Sequence, residues 1–201
     1  MIPQKKILEG YLLLPLNRDI AYRGVDRQPF EPAILPDEMN IRDGFSKNTS
    51  RIWELYPTGW RREAYRLYEE NSVSVDDLYL LSEYEASRKI QEIITPHLGL
   101  YEIVKCRIGD SYILQSEASS EEGFLGYDAA YAGGDYFSAV LNGLIVNPHP
   151  LLTDEFGHYL NNFGLFTEIK IVALYLQRFK ELVISESKSK FSIFQLTLTG
   201  I

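Results

Sequence analysis

A chain of 201 residues that is 45% apolar and 24% charged has the makings of one globular domain, not of a disordered or fibrous polymer. Its net charge of −8 argues against a general nucleic-acid binder, whose affinity rests on cations set against phosphates. Its one cysteine, Cys106, rules out an intrachain disulfide and a cysteine-based zinc site.

The opening residues carry the basic pair Lys5-Lys6. The apolar stretch that follows is short and broken by Glu9, Pro15 and Asn17, so no secretory signal is expected. No run approaches the roughly 18 apolar residues of a membrane helix, and a cytoplasmic protein without membrane contact is expected. Glu9–Asn17 reads as a strand centred on Tyr11–Leu14, which Pro15 ends or confines to a sheet edge. Residues 26–59 hold Pro29, Pro32, Pro36 and Pro57 and little periodicity, so 1–59 forms a less regular N-terminal segment, with a short strand or turn near Arg51–Tyr56.

Trp60, Ala64, Leu67 and Tyr68 then share one helical face, and Asn71 ends that helix. Ser74 with Asp77 has the spacing of a capping box and predicts a second helix from there to about Ile94, stopped by Thr95-Pro96. Its apolar face is Leu78, Leu81, Ala86, Ile90 and Ile93–Ile94. Tyr101–Ile108, Ser111–Gln115 and Gly123–Tyr131 read as three strands of a meander, the first two joined by a Gly109-Asp110 turn. Gly133-Gly134 supplies a turn, Asp135 an N-cap, Tyr136–Asn142 two helical turns and Gly143 a left-handed stop. Thr153 caps a further helix with Phe156, Tyr159, Leu160 and Phe163 as its stripe, closed by Gly164. Thr167–Val183 has helical spacing, but its β-branched EIKIVAL start also suits a strand. Phe191–Thr199 is a last strand with Phe194, Leu196 and Leu198 on one face.

Strands and helices come in blocks, which makes the fold α+β. The expected architecture is an antiparallel or mixed sheet in a single domain spanning 1–201. Its strands are the meander at about 101–131 plus N- and C-terminal strands, packed against four to five helices.

Charge is segregated. From Ile108 to Ile169 there is no Lys or Arg, and nine acids: Asp110, Glu117, Glu121, Glu122, Asp128, Asp135, Asp154, Glu155 and Glu168. The rest of the chain is close to neutral. Within this segment Tyr127, Asp128, Tyr131, Asp135 and Tyr136 put phenols beside carboxylates, and His149 is held rigidly between two prolines. Such a surface suits capture of Lys and Arg by charge and by cation–π contact.

Catalytic signals are weak by comparison. The Gly133-Gly134-Asp135 turn fits neither phosphate-binding fingerprint, and an Asp cap repels phosphate. His97, His149 and His158 have no metal-ligand spacing, no G-x-S-x-G occurs, and Cys106 sits mid-strand as an inert thiol would. No metal and no cofactor are expected. The expected function is non-enzymatic binding of a basic protein partner, as an immunity or inhibitor protein binds its target, through Tyr127, Asp128, Tyr131, Asp135, Tyr136 and His149. Two alternatives are a small hydrolytic or nucleotide-modifying enzyme with its site at the Gly133–Asp135 turn, and a structural or oligomeric subunit.

Overall fold

The computed structural model describes residues 8–14, 59–75, 78–98, 101–109, 114, 122–131, 137–141, 143–144, 148–183 and 191–200. Seven strands form one sheet: β1 (Leu8–Leu14), β2 (Ser72–Val75), β3 (Leu78–Leu81), β4 (Glu102–Gly109), β5 (Phe124–Tyr131), β6 (Phe137–Ser138) and β7 (Phe191–Leu198). The helices named among the described residues are α1 (Gly59–Asn71), α2 (Tyr84–Leu98), the single turn α3 (Ala139–Leu141), α4 (Pro150–Phe156) and α5 (Ile169–Leu182), with a 3-10 turn at Gly157–Tyr159. The fold is α+β, and the sheet is antiparallel throughout.

The strand order is β2-β3-β1-β4-β7-β5-β6. The strands at Tyr101–Ile108 and Gly123–Tyr131 form where the sequence places them, yet they do not make a meander. The C-terminal strand β7 lies between β4 and β5. β4 has both edges occupied, by β1 from Glu102 to Ile108 and by β7 from Val104 to Gly109; the return strand expected at Ser111–Gln115 lies outside the described residues except for Leu114. Leu114, the one described residue there, is helical and buried. The Gly109-Asp110 signal is local, whereas both hydrogen-bonded neighbours of β4 come from segments distant in the chain. β1 is likewise interior, paired with β4 and, at Tyr11, with β3, so it is not the edge strand that Pro15 allowed for; Pro15 itself lies outside the described residues.

The second helix starts ten residues later than its capping signal. Ser72–Val75 and Leu78–Leu81 are instead a hairpin, Val75 facing Leu78 and Ser72 facing Leu81. The alternation Ser-Val-Ser-Val is the strand period, and it overrides the Ser74/Asp77 spacing. Leu78 and Leu81 belong to β3, not to a helical stripe; Ala86, Ile90 and Ile94 remain the buried face of α2. Pro96 sits inside the last turn of α2 and does not stop it. Thr153 is within α4, which begins at Pro150 with His149 in the cap position. Tyr159 and Leu160 leave the helix there, and Leu160 bridges to Phe166. Thr167–Val183 resolves as helix, with Ile169, Val172, Leu176 and Phe179 buried along one side.

Two helical groups cover one face of the sheet. α1 and α2 bury Ala64, Leu81, Ile90, Ile94 and Tyr101 over the β1/β3 half. α3, α4 and α5 bury Val140, Leu152, Phe156, Tyr175 and Phe179 against Tyr127, Ala129 and Ile193 over the β5/β7 half. The opposite face packs Leu80, Val104, Cys106, Ile108, Leu125, Ala130, Phe194 and Leu196. Each of the larger of these side chains contributes about 1.5–3 kcal/mol by leaving water.

Two glycines permit close approaches. Gly126 has φ 143°, and a Cβ there would lie 2.7 Å from the Leu165 Cβ and 2.9 Å from the Phe166 carbonyl oxygen. This sits at the β5 register shift and lets Leu160–Phe166 lie against the strand. Gly143 does not have the left-handed conformation expected of a helix stop. It is small for a different reason: a Cβ there would meet the Tyr175 Oη at 2.5 Å and the Phe179 ring at 3.1 Å.

Candidate functional site

The sequence directs attention first to β5. Tyr127 and Asp128 are both buried, at 3% and 0% exposure, so neither contributes to an outer face. Tyr127 points under α4 and α5, with its ring edge-on to Phe124 at 5.2 Å, and its backbone is bonded in both directions to Phe166. Asp128 accepts a 2.9 Å hydrogen bond from the Ser138 Oγ of the adjoining β6. Strand alternation puts an acid in the interior here. The buried carboxylate is accommodated by hydrogen bonding, with Ser138 of the neighbouring strand among its partners.

Asp128 also marks its neighbours. Burial raises the Cys106 thiol well above its ordinary range, and the Asp128 charge adds to it. Burial, again with Asp128, raises the Tyr175 phenol, whose hydroxyl donates to the Ala139 carbonyl at 2.7 Å. Neither group is an ionised nucleophile at neutral pH.

The other expected residues scatter. Tyr131 is half-buried and packs on Phe191 at 5.5 Å. Asp135 and Tyr136, with the Gly133-Gly134 turn, lie outside the described residues. His149 is half-buried at the start of α4; its N–H donates to the Gly143 carbonyl and its carbonyl accepts from the Thr153 N–H, both at 2.9 Å. Its Nδ1 and the Thr153 Oγ1 are buried without a hydrogen-bond partner. His158 is exposed and stacks on Tyr159 at 4.0 Å. Among the described residues no three His, Cys, Asp or Glu side chains cluster as metal ligands would.

The outward part of the cation-free segment is α4 and the turn after it. Leu151, Asp154, Glu155 and His158 follow one another at helical spacing and all are exposed, Leu151 at 52%. Tyr159 beside them is 43% exposed, and Glu168 is exposed before α5. The Glu155 carboxylate is 3.6 Å from Arg178, its counterion in α5. Exposed carboxylates around a Leu and a Tyr make this an acidic surface with apolar side chains inside it.

A second constellation escaped sequence reading. Register places Glu9, Arg107, Gln195 and Tyr127 directly opposite one another across β1, β4, β7 and β5. Tyr11, Lys105, Thr197 and Phe124 form the next row on the same face. Glu9 bridges the two cations, 3.1 Å from the Lys105 Nζ and 3.1 Å from the Arg107 Nε. The row lies between the two helical groups. Its members come from four strands spread over most of the chain, and the only local signal is the Lys105/Arg107 alternation of β4.

No family model matches this chain, and it matches neither a curated protein nor a solved structure. No helix among the described residues is long and apolar enough to cross a membrane.

Proposed function

We propose that the protein is a non-enzymatic, intracellular binding protein that grips a basic protein partner, in the manner of an immunity or inhibitor protein. The observation that carries the reading is charge segregation. Sixty-two consecutive residues hold nine acids and no Lys or Arg; Asp154 and Glu155 stand exposed on α4 with Leu151, Tyr159 follows in the next turn, and Glu168 is exposed before α5. An acid-rich patch, even with Arg178 paired to Glu155, steers a cationic partner into encounter, and the exposed Leu151 and Tyr159 supply apolar contact. With Tyr127 and Asp128 buried, the reading draws its support from α4 and the Gly157–Tyr159 turn, where Asp154, Glu155 and Tyr159 are exposed.

The test is affinity capture followed by titration of the purified partner. The partner should be basic, and raising salt from 50 to 300 mM should weaken its binding about tenfold or more. Asp154→Lys with Glu155→Lys should weaken it by roughly 10–100-fold while leaving the fold intact. An acidic partner, or an affinity unmoved by both salt and charge reversal, overturns the reading.

A further inference from the structure

The row across the sheet has the properties of a ligand site that nothing else in the molecule explains. Gln195 is fully buried, and neither its Oε1 nor its Nε2 has a hydrogen-bond partner. Buried amides are ordinarily satisfied, so this one is a donor and acceptor awaiting a third group. Its cross-strand neighbour is Arg107, with Lys105 one row on, and Glu9 is the carboxylate that the row itself sets against these two cations. The row therefore carries net positive charge in a chain of net charge −8. It is also graded in exposure: the Glu9 side chain is 43% exposed, Lys105 26% and Arg107 13%. Glu9 is the member that can swing away.

We propose that this row binds a small oxyanion, a carboxylate- or phosphate-bearing molecule, which takes the place of the Glu9 carboxylate on Arg107 and Lys105 and accepts a hydrogen bond from the Gln195 Nε2. Glu9 is then an internal stand-in for the ligand. It holds the cations in place when the site is empty and competes when the anion arrives. An arginine presents a forked set of donors to carboxylate and phosphate alike, which is why both chemistries fit. Entry is from the Glu9 side, between α2 over β1 and β4 and α5 over β5 and β7. Displacing Glu9 and shifting the Arg107 side chain brings an oxygen to the amide.

The experiment is a thermal-shift and calorimetric titration of the full chain with inorganic phosphate and with acetate, against sodium chloride at matched ionic strength. Phosphate or acetate should raise the melting temperature with concentration where chloride does not, and the stronger of the two identifies the ligand class. Glu9→Gln removes the competitor from an exposed position and should tighten binding roughly three- to tenfold. Arg107→Gln and Gln195→Leu should abolish the shift, with circular dichroism confirming that each variant is folded. Two results overturn the proposal: Glu9→Gln binding neither anion better than the parent chain, or Gln195→Leu retaining the full shift.

Discussion

Asp128 shows how much one buried side chain can decide. It sits at 0% exposure with Ser138 donating to it, so shortening it removes this buried hydrogen bond and opens a void. Asp128→Ala should cost about 2–4 kcal/mol in urea denaturation, far beyond the few tenths expected of a surface acid. Cys106 and Tyr101 make a second prediction, in pH. Burial holds the thiol well up and pushes the Tyr101 phenol to about 12, so the folded chain keeps protons that the unfolded chain releases. The unfolded thiol ionises near pH 9 and the unfolded phenol near pH 10. Stability therefore falls as pH rises, from about 9 for Cys106 and between about 10 and 12 for Tyr101, and is unaffected by these groups below pH 8. Denaturant midpoints measured from pH 7 to 11 check the slope. A thiol reagent should label Cys106 only on unfolding.

At the scale of elements, close packing and the polar row make separable predictions. Gly143→Ala should destabilise by about 1–3 kcal/mol through overpacking against Tyr175 and Phe179, since no left-handed backbone is involved. Tyr175→Phe removes the oxygen 2.5 Å from the added methyl and should recover part of that loss in a double-mutant cycle. Additive losses would place the strain elsewhere. In β7, Gln195→Leu replaces an unpartnered buried amide by an apolar group of similar size. It should stabilise the ligand-free protein by about 1–2 kcal/mol, read as a rise in the urea midpoint. A residue that costs stability and lies in a row with Arg107 is the kind of position that function retains. The hairpin at Ser72–Leu81 carries a plainer lesson: a capping box is a two-residue signal, and a hairpin that completes a sheet edge outweighs it.

For the whole molecule, the sheet order joins segments that are remote in sequence. β1, β4 and β7 lie side by side although residues 15–101 and 110–190 separate them in the chain. Placing most of the elements needed only the sequence: the strands at β1, β4, β5 and β7, helix α1, the Ala86–Ile94 part of the α2 face, the apolar face of β7, and the α+β class, while the start of α5 stayed open between helix and strand. These follow from periodicity, and periodicity is local. Charge segregation was equally legible, because a run without Lys or Arg is a property of the chain itself. The tertiary structure decided which acids face outward. Asp128 and Glu155 look alike as sequence, but one strand buries its acid under a neighbour and one helix leaves its acid in water. It also decided that Glu9, Arg107, Gln195 and Tyr127 share a row. The pairing of distant strands is set by the sum of many small burial energies over the sheet, and no short stretch of residues carries that sum.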